Sequence, residues 1–136
     1  MTIDEARDFI RTHHHAVLAT TRQNGRVQMS PVGVAVDDDG ALLISTRETA
    51  MKTAHLRRTP YAAVCVFTDQ FYGAWVQAEG PVTIESLPDA MEGLVRYYRL
   101  ISGEHPDWDD YRAAMERERR VLLRLHIERA GPTRQG

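Results

Sequence analysis

The feature that most constrains the fold is a tight hairpin near the N-terminus. Residues 15–21 (HAVLATT) have the small apolar pattern of a strand, Gln23-Asn24-Gly25 is a hairpin signal, and residues 26–36 are predicted to form the return strand. Pro31 interrupts this second strand. Because proline cannot donate to a sheet ladder, the second strand is expected at a sheet edge or a bulge.

The rest of the chain continues in strands with a few helices inserted between them. Asp37 to Gly40 reads as a turn, and Gly80-Pro81 marks a bend or bulge within a long strand. Regular alternation of strands and helices is absent, which favours a mainly β (α+β) antiparallel barrel. Further strands are predicted at residues 41–46, 61–67, 72–84 and 120–127, and helices at residues 4–13, 49–58, 87–101 and around Trp108, Tyr111 and Met115.

Composition excludes several classes of protein. The 136 residues suit one domain, expected to span residues 1–136, and the net charge of -2 gives no basic field for nucleic acid or a membrane surface. No stretch is apolar enough for a membrane span or a secretory leader, so a cytoplasmic location is expected.

Cys65, the only cysteine, is expected to be a buried core thiol. His13, His14 and His15 point in different directions, so no metal site is predicted.

Lys52 is the only lysine in the chain, and it falls in the first turn of the predicted helix 49–58. A cation is unfavourable at the positive end of a helix dipole unless an anion lies between them. A bound phosphate would provide that anion, with Lys52, the helix N–H groups and the hydroxyls of Ser45 and Thr46 converging on it. The alternative is a solvated surface lysine.

A second polar cluster follows the hairpin. Alternation along the strand places Arg26, Gln28 and Ser30 on one face, and Val27 and Met29 on the other. Ordinary solvent exposure would also explain three polar side chains on one face.

Residues 18–60 (LATTRQNGRVQMSPVGVAVDDDGALLISTRETAMKTAHLRRTP) resemble the pyridoxamine 5'-phosphate oxidase-like split β-barrel superfamily. The resemblance rests on the hairpin, the strand-end hydroxyl, the helix that begins near Lys52 and the later Ala78-Glu79-Gly80. Residues 103–115 (GEHPDWDDYRAAM) share the resemblance, which is strongest for the deazaflavin-dependent class of actinobacteria that uses coenzyme F420. It implies an FMN-binding-protein-like split β-barrel that forms a homodimer, with the cofactor sites at the subunit interface.

The resemblance also implies roles for individual residues. Lys52 and Thr46 would hold the cofactor phosphate, while Arg26, Gln28 and Ser30 would line the site beside the ring and its tail. The remaining implied contacts come from Met29, Ala50 and Met51, from Trp75, and from Arg119 or Arg120 of the second subunit. No side chain is identified as an obligatory acid or base.

The implied function is that of an F420-dependent oxidoreductase, which transfers a hydride between the deazaflavin and a small organic molecule. An FMN-binding oxidase of the pyridoxamine 5'-phosphate oxidase type is the first alternative. A cofactor-binding protein without turnover is the second. A homodimer is expected on physical grounds as well, because Trp75, Tyr97 and Tyr98 would need a partner surface to cover them.

Overall fold

The computed structural model describes residues 1–132, which form an eight-stranded antiparallel sheet and four helices. The mainly β class with added helices is therefore confirmed. The strands are β1 (His15–Thr21), β2 (Val27–Gly33), β3 (Ala35–Val36), β4 (Leu42–Arg47), β5 (Tyr61–Phe67), β6 (Trp75–Glu85), β7 (Arg120–Leu125) and β8 (Arg129–Gly131). The helices are α1 (Ile3–Thr12), α2 (Met51–Arg58), α3 (Met91–Ser102) and α4 (Trp108–Arg117).

The sheet curls into a half-barrel with the strand order β2-β1-β5-β6-β7-β4-β3, and β8 pairs with β6. The long strand β6 joins the two halves, since it pairs with β5 up to Pro81 and with β7 from Val82. Gly80 lies at this change of partner, where a Cβ atom would meet the backbone oxygen of His126 at 1.9 Å. Only glycine permits so close an approach of two backbones.

The hairpin prediction is confirmed, because β1 and β2 pair in antiparallel register from His15 opposite Gly33 to Thr21 opposite Val27. Strand β2 lies at the edge of the sheet, as Pro31 requires. The predicted strand 26–36 is nevertheless shorter, because it ends at Gly33, and Ala35–Val36 pairs with β4 instead.

Other element boundaries also differ from the prediction. α1 begins at Ile3 because Thr2 caps it, with the Glu5 N–H donating to the Thr2 hydroxyl at 3.0 Å. α2 begins at Met51 rather than at Thr49. β6 covers residues 75–85 rather than 72–84, α3 begins at Met91, and the predicted last strand ends at Leu125 before β8.

The half-barrel encloses one apolar cluster, and α3 and α4 cover a second one on the outside of β4 and β7. Leu18, Ile44, Val64 and Leu123 are buried in the first cluster. Leu43, Leu94 and Leu122 belong to the second, together with aromatic side chains. The rings of Tyr98, Trp108 and Tyr111 contact one another edge to face, and Tyr97 packs against the same cluster. Tyr97 and Tyr98 thus pack within the chain, and the expectation that they need a partner surface is wrong.

Cys65 departs from its prediction. It is half-buried rather than buried, because Ala62, Val64 and Val66 take the core-facing positions of β5 and leave Cys65 on the opposite face of the sheet. Burial still raises the pKa of its thiol.

A charged network ties the β3–β4 turn to α3 and β7. Asp37 is 7% exposed and accepts two hydrogen bonds from Arg96, both at 3.0 Å, and a third from Arg124 at 2.8 Å. Arg124 also pairs with Glu85 at the end of β6. One carboxylate thus links elements that are far apart in the chain.

Two structural features are absent from residues 1–132. No helix in this range has the length and hydropathy needed to cross a membrane. The same residues contain no group of three or more histidine, cysteine, aspartate or glutamate side chains placed to hold a metal ion.

Candidate functional site

The N-terminus of α2 lies at the end of β4, and its first turn carries a cation but no acid. A tight turn precedes it, in which the Arg47 carbonyl accepts hydrogen bonds from the Ala50 N–H at 3.1 Å and the Thr53 hydroxyl at 2.7 Å. Ala50 is the N-cap residue, and no side chain caps the helix. Because α2 begins at Met51, Lys52 is its second residue, as the first-turn prediction requires.

Lys52 is half-buried and forms no ion pair with any carboxylate in residues 1–132. Burial lowers the pKa of its ammonium group below the usual range, and the nearby Arg120 guanidinium lowers that pKa further. Two cations therefore lie close together at a helix N-terminus, an arrangement that a bound anion would relieve.

Arg120 reaches this place from within the same chain. It begins β7 and pairs with Arg47, the last residue of β4. Glu118 accepts hydrogen bonds from Arg120 Nε at 3.0 Å and from Arg47 at 3.4 Å, and the bond from Arg120 lowers the pKa of the Glu118 carboxyl. One carboxylate holds two guanidinium groups, so the edge formed by Lys52, Arg47 and Arg120 keeps an excess of positive charge.

Arg119 and Arg120 have different surroundings in the structure. Its backbone has a φ of 53°, which is uncommon for a residue other than glycine. Its carbonyl accepts the Glu48 N–H at 2.8 Å, which joins the α4–β7 turn to the turn before α2. The Arg119 side chain is exposed and makes no hydrogen bond or ion pair with the described residues.

Thr46, Gln28 and Ser30 all lie on the core-facing side of the half-barrel. Thr46 is 4% exposed and shares a strand face with Leu42 and Ile44. Gln28 and Ser30 are half-buried and lie opposite Thr20 and Leu18, two buried residues of β1.

The C-terminal half of α2 is hydrogen-bonded to β1. The buried His55 imidazole hydrogen-bonds to the Thr20 hydroxyl at 3.0 Å, and Arg58 donates to the Thr21 carbonyl at 3.2 Å. Since Gln28 lies opposite Thr20, the polar face of β2 is one strand away from the helix that carries Lys52.

Ala50 and Met51 lie beside Lys52 at the N-terminus of α2, where Ala50 is half-buried and Met51 is 61% exposed. Arg26, Met29 and Trp75 lie elsewhere. Arg26 is exposed beside the hairpin turn. Met29 and Trp75 are 70% and 40% exposed and belong to the outer face of the sheet.

Trp75 also begins β6, whereas Ser86, just beyond its other end, contacts Arg57 of α2. At about 3.3 Å per residue these ends are on the order of 30 Å apart along the strand. Within one chain, Trp75 therefore does not join the site at Lys52.

Sequence reasoning missed Glu118, Arg47 and the contact between His55 and Thr20. Glu118 reads as one more charge in the run Glu116-Arg117-Glu118-Arg119-Arg120, with no signal that it faces the end of β4. Only the pairing of β4 with β7 brings Arg47 beside Arg120.

Comparison with known proteins agrees with this fold. The sequence model of the pyridoxamine 5'-phosphate oxidase family matches residues 2–133, so the chain belongs to that family. The curled antiparallel sheet with four helices is the split β-barrel of its FMN-binding members.

Several solved structures share the fold. The conserved hypothetical protein Rv2991 from Mycobacterium tuberculosis has 24% identity and a TM-score of 0.78, over 96% of this chain and 82% of that one. An F420 reductase has 17% identity and a TM-score of 0.71, over 92% and 94% of the two chains. A pyridoxamine 5'-phosphate oxidase-related, FMN-binding protein from Nostoc punctiforme has 17% identity and a TM-score of 0.65, over 94% and 78%.

Proposed function

We propose that this protein is an F420-dependent oxidoreductase whose cofactor phosphate binds at the N-terminus of α2. The observation that carries the proposal is the half-buried Lys52 beside Arg120, with no carboxylate paired to it among residues 1–132. An oxyanion bound there would neutralise both cations and accept hydrogen bonds from the first turn of the helix. The residues present therefore suit a phosphorylated cofactor.

The side chains of this site bind and orient. Lys52 and the Thr46 hydroxyl hold the phosphate, and Gln28 and Ser30 offer an amide and a hydroxyl toward the ring. Arg26, exposed at the hairpin, attracts the anionic tail of the F420 cofactor. When bound, the reduced deazaflavin supplies a hydride with its electron pair to an unsaturated acceptor, and solvent supplies the proton that completes the reduction. We name no residue of the chain as acid or base.

FMN is the alternative cofactor, because a phosphate anchor serves FMN and F420 equally and one structural neighbour is an FMN-binding protein. Titration of the purified protein with each cofactor, followed by fluorescence, distinguishes the two. Tighter binding of F420, with no flavin absorbance in the protein as purified, is expected. Tight binding of FMN by a yellow protein would favour the oxidase alternative, and binding without turnover of any acceptor would favour a carrier.

We propose also that two copies of the chain pair through the outer face of the strands β2, β1, β5 and β6. This face exposes Val27, Met29 and Trp75 at 52%, 70% and 40%. Tyr61 and Cys65 lie on the same face. So much exposed apolar surface on one sheet face is typical of an interface. We propose that in such a dimer Met29 and Trp75 contact a cofactor bound by the partner.

Lys52→Ala tests the phosphate anchor. Losing a charge-assisted contact of about 1.5 to 3 kcal/mol raises the dissociation constant of the cofactor about tenfold to a hundredfold. The melting temperature of the cofactor-free protein should stay the same or rise slightly, because a cation leaves a helix N-terminus. Arg117→Gln, an exposed cation on α4, serves as the matched control. Unchanged affinity of Lys52→Ala for both FMN and F420 would place the cofactor elsewhere.

A further inference from the structure

A cavity of about 690 Å³ lies between the end of α4 and the segment that joins β6 to α3. Leu87, Met91 and Val121 give it an apolar wall. Its volume falls in the range of small-molecule sites, roughly 300 to 1,000 Å³. Glu48 and Arg120 lie at its border, so it adjoins the N-terminus of α2 without including Lys52.

The charged side chains that line this cavity have more unpaired positive than negative charge. Glu48 and Arg120 are already bonded, to Arg57 and to Glu118. The exposed guanidinium groups of Arg112 and Arg119 have no hydrogen-bond or ion-pair partner among residues 1–132.

Glu116 is the remaining charged group of the cavity, and its carboxylate is likewise unpaired within the described residues. Two free cations thus face a single free anion. This leaves the cavity with an excess of positive charge next to an apolar wall.

We infer that this cavity binds a small organic acid, whose carboxylate is held by Arg112 and Arg119 and whose apolar body lies against Leu87 and Met91. A planar guanidinium matches a carboxylate in two parallel hydrogen bonds, and its affinity rises where apolar walls exclude water. The inference stands independently of the proposed function.

The test uses the cofactor-free full chain and para-trifluoromethylbenzoate as a probe, with binding followed by fluorine NMR. The probe should bind wild type, and Arg112→Gln/Arg119→Gln should weaken its binding by about tenfold or more. Arg117→Gln, which changes an exposed arginine of α4 outside the cavity, should leave binding unchanged. Glu116→Gln should strengthen binding about twofold or more, because a like charge is removed.

The uncharged analogue para-trifluoromethylbenzamide separates charge recognition from apolar binding. It should bind at least about tenfold more weakly than the acid. Equal binding of the amide, or unchanged binding of the acid by the double variant with the melting temperature of wild type, would overturn the inference.

The two proposals fail separately. Lys52→Ala should lose cofactor affinity and keep affinity for the benzoate. If wild type binds neither F420 nor FMN while benzoate binding still depends on Arg112 and Arg119, the proposed function is wrong and the acid site stands. If the cofactor binds through Lys52 and benzoate binding does not depend on Arg112 and Arg119, the proposed acid site is wrong.

Discussion

Replacing Asp37 with asparagine is expected to lower the free energy of unfolding by about 2 kcal/mol at neutral pH. Burial alone would raise the pKa of this carboxyl, but hydrogen bonds from Arg96 and Arg124 outweigh it and lower the pKa from 3.8 to about 2. A difference of somewhat under two units, at about 1.4 kcal/mol per unit, gives the magnitude stated.

The sign follows from the depressed pKa. The contribution of Asp37 to stability is complete above pH 3.8, the pKa of the unfolded chain, and disappears as the pH falls through about 2. The difference between wild type and Asp37→Asn should therefore be constant at neutral pH and narrow between about pH 4 and pH 2.

Urea unfolding followed by circular dichroism, at several pH values from neutral to acid, measures this difference. Asp38→Asn is the matched control, since Asp38 is exposed in the same turn and its side chain makes no ion pair among the described residues. It should change stability by about 0.5 kcal/mol or less. Equal stability of Asp37→Asn and wild type, or a difference that does not narrow in acid, would refute the assignment of this stabilisation to the ionised carboxylate.

Three further predictions test other contacts. Gly80→Ala should cost about 2 kcal/mol or more in urea unfolding, because its Cβ would meet the His126 carbonyl at 1.9 Å; wild-type stability would contradict the close approach. Glu118→Gln should strengthen cofactor binding about twofold or more in a fluorescence titration, because it removes a negative charge beside Arg120 and the proposed phosphate site; an unchanged melting temperature is the control, and weaker binding would contradict the prediction. Met29→Glu should shift the protein from dimer to monomer in light scattering, since it places a charge on the outer face; a stable dimer would exclude that face.

Local signals account for the parts of the fold that the sequence predicts well. The hairpin follows from Asn24-Gly25 between two apolar strands, and the edge position of β2 follows from Pro31. Lys52 in a first helical turn is also local, because it depends on the strand that ends at Arg47 and the helix stopped by Pro60. Each of these depends on residues close in sequence.

Element boundaries and side-chain burial are harder to predict from the sequence, because they depend on residues that are distant in the chain. Cys65 lies in an apolar run that gives no sign of which alternate residues face the core. The shortening of the predicted strand 26–36 depends on the pairing of Ala35 and Val36 with β4. Neither outcome has a signal within its own segment.

By itself the sequence determines the order of the four helices and of the described strands other than β3 and β8, the edge strand that contains Pro31, and a lone lysine at a helix N-terminus. Only the tertiary structure places Arg120 beside that lysine, pairs Glu118 with Arg47, and opens a cavity between α4 and the β6–α3 segment. The physical reason is that local propensities act over a few residues. The positive edge, in contrast, arises where β4 and β7 pair across the sheet, and this pairing depends on burying the apolar faces of both strands together.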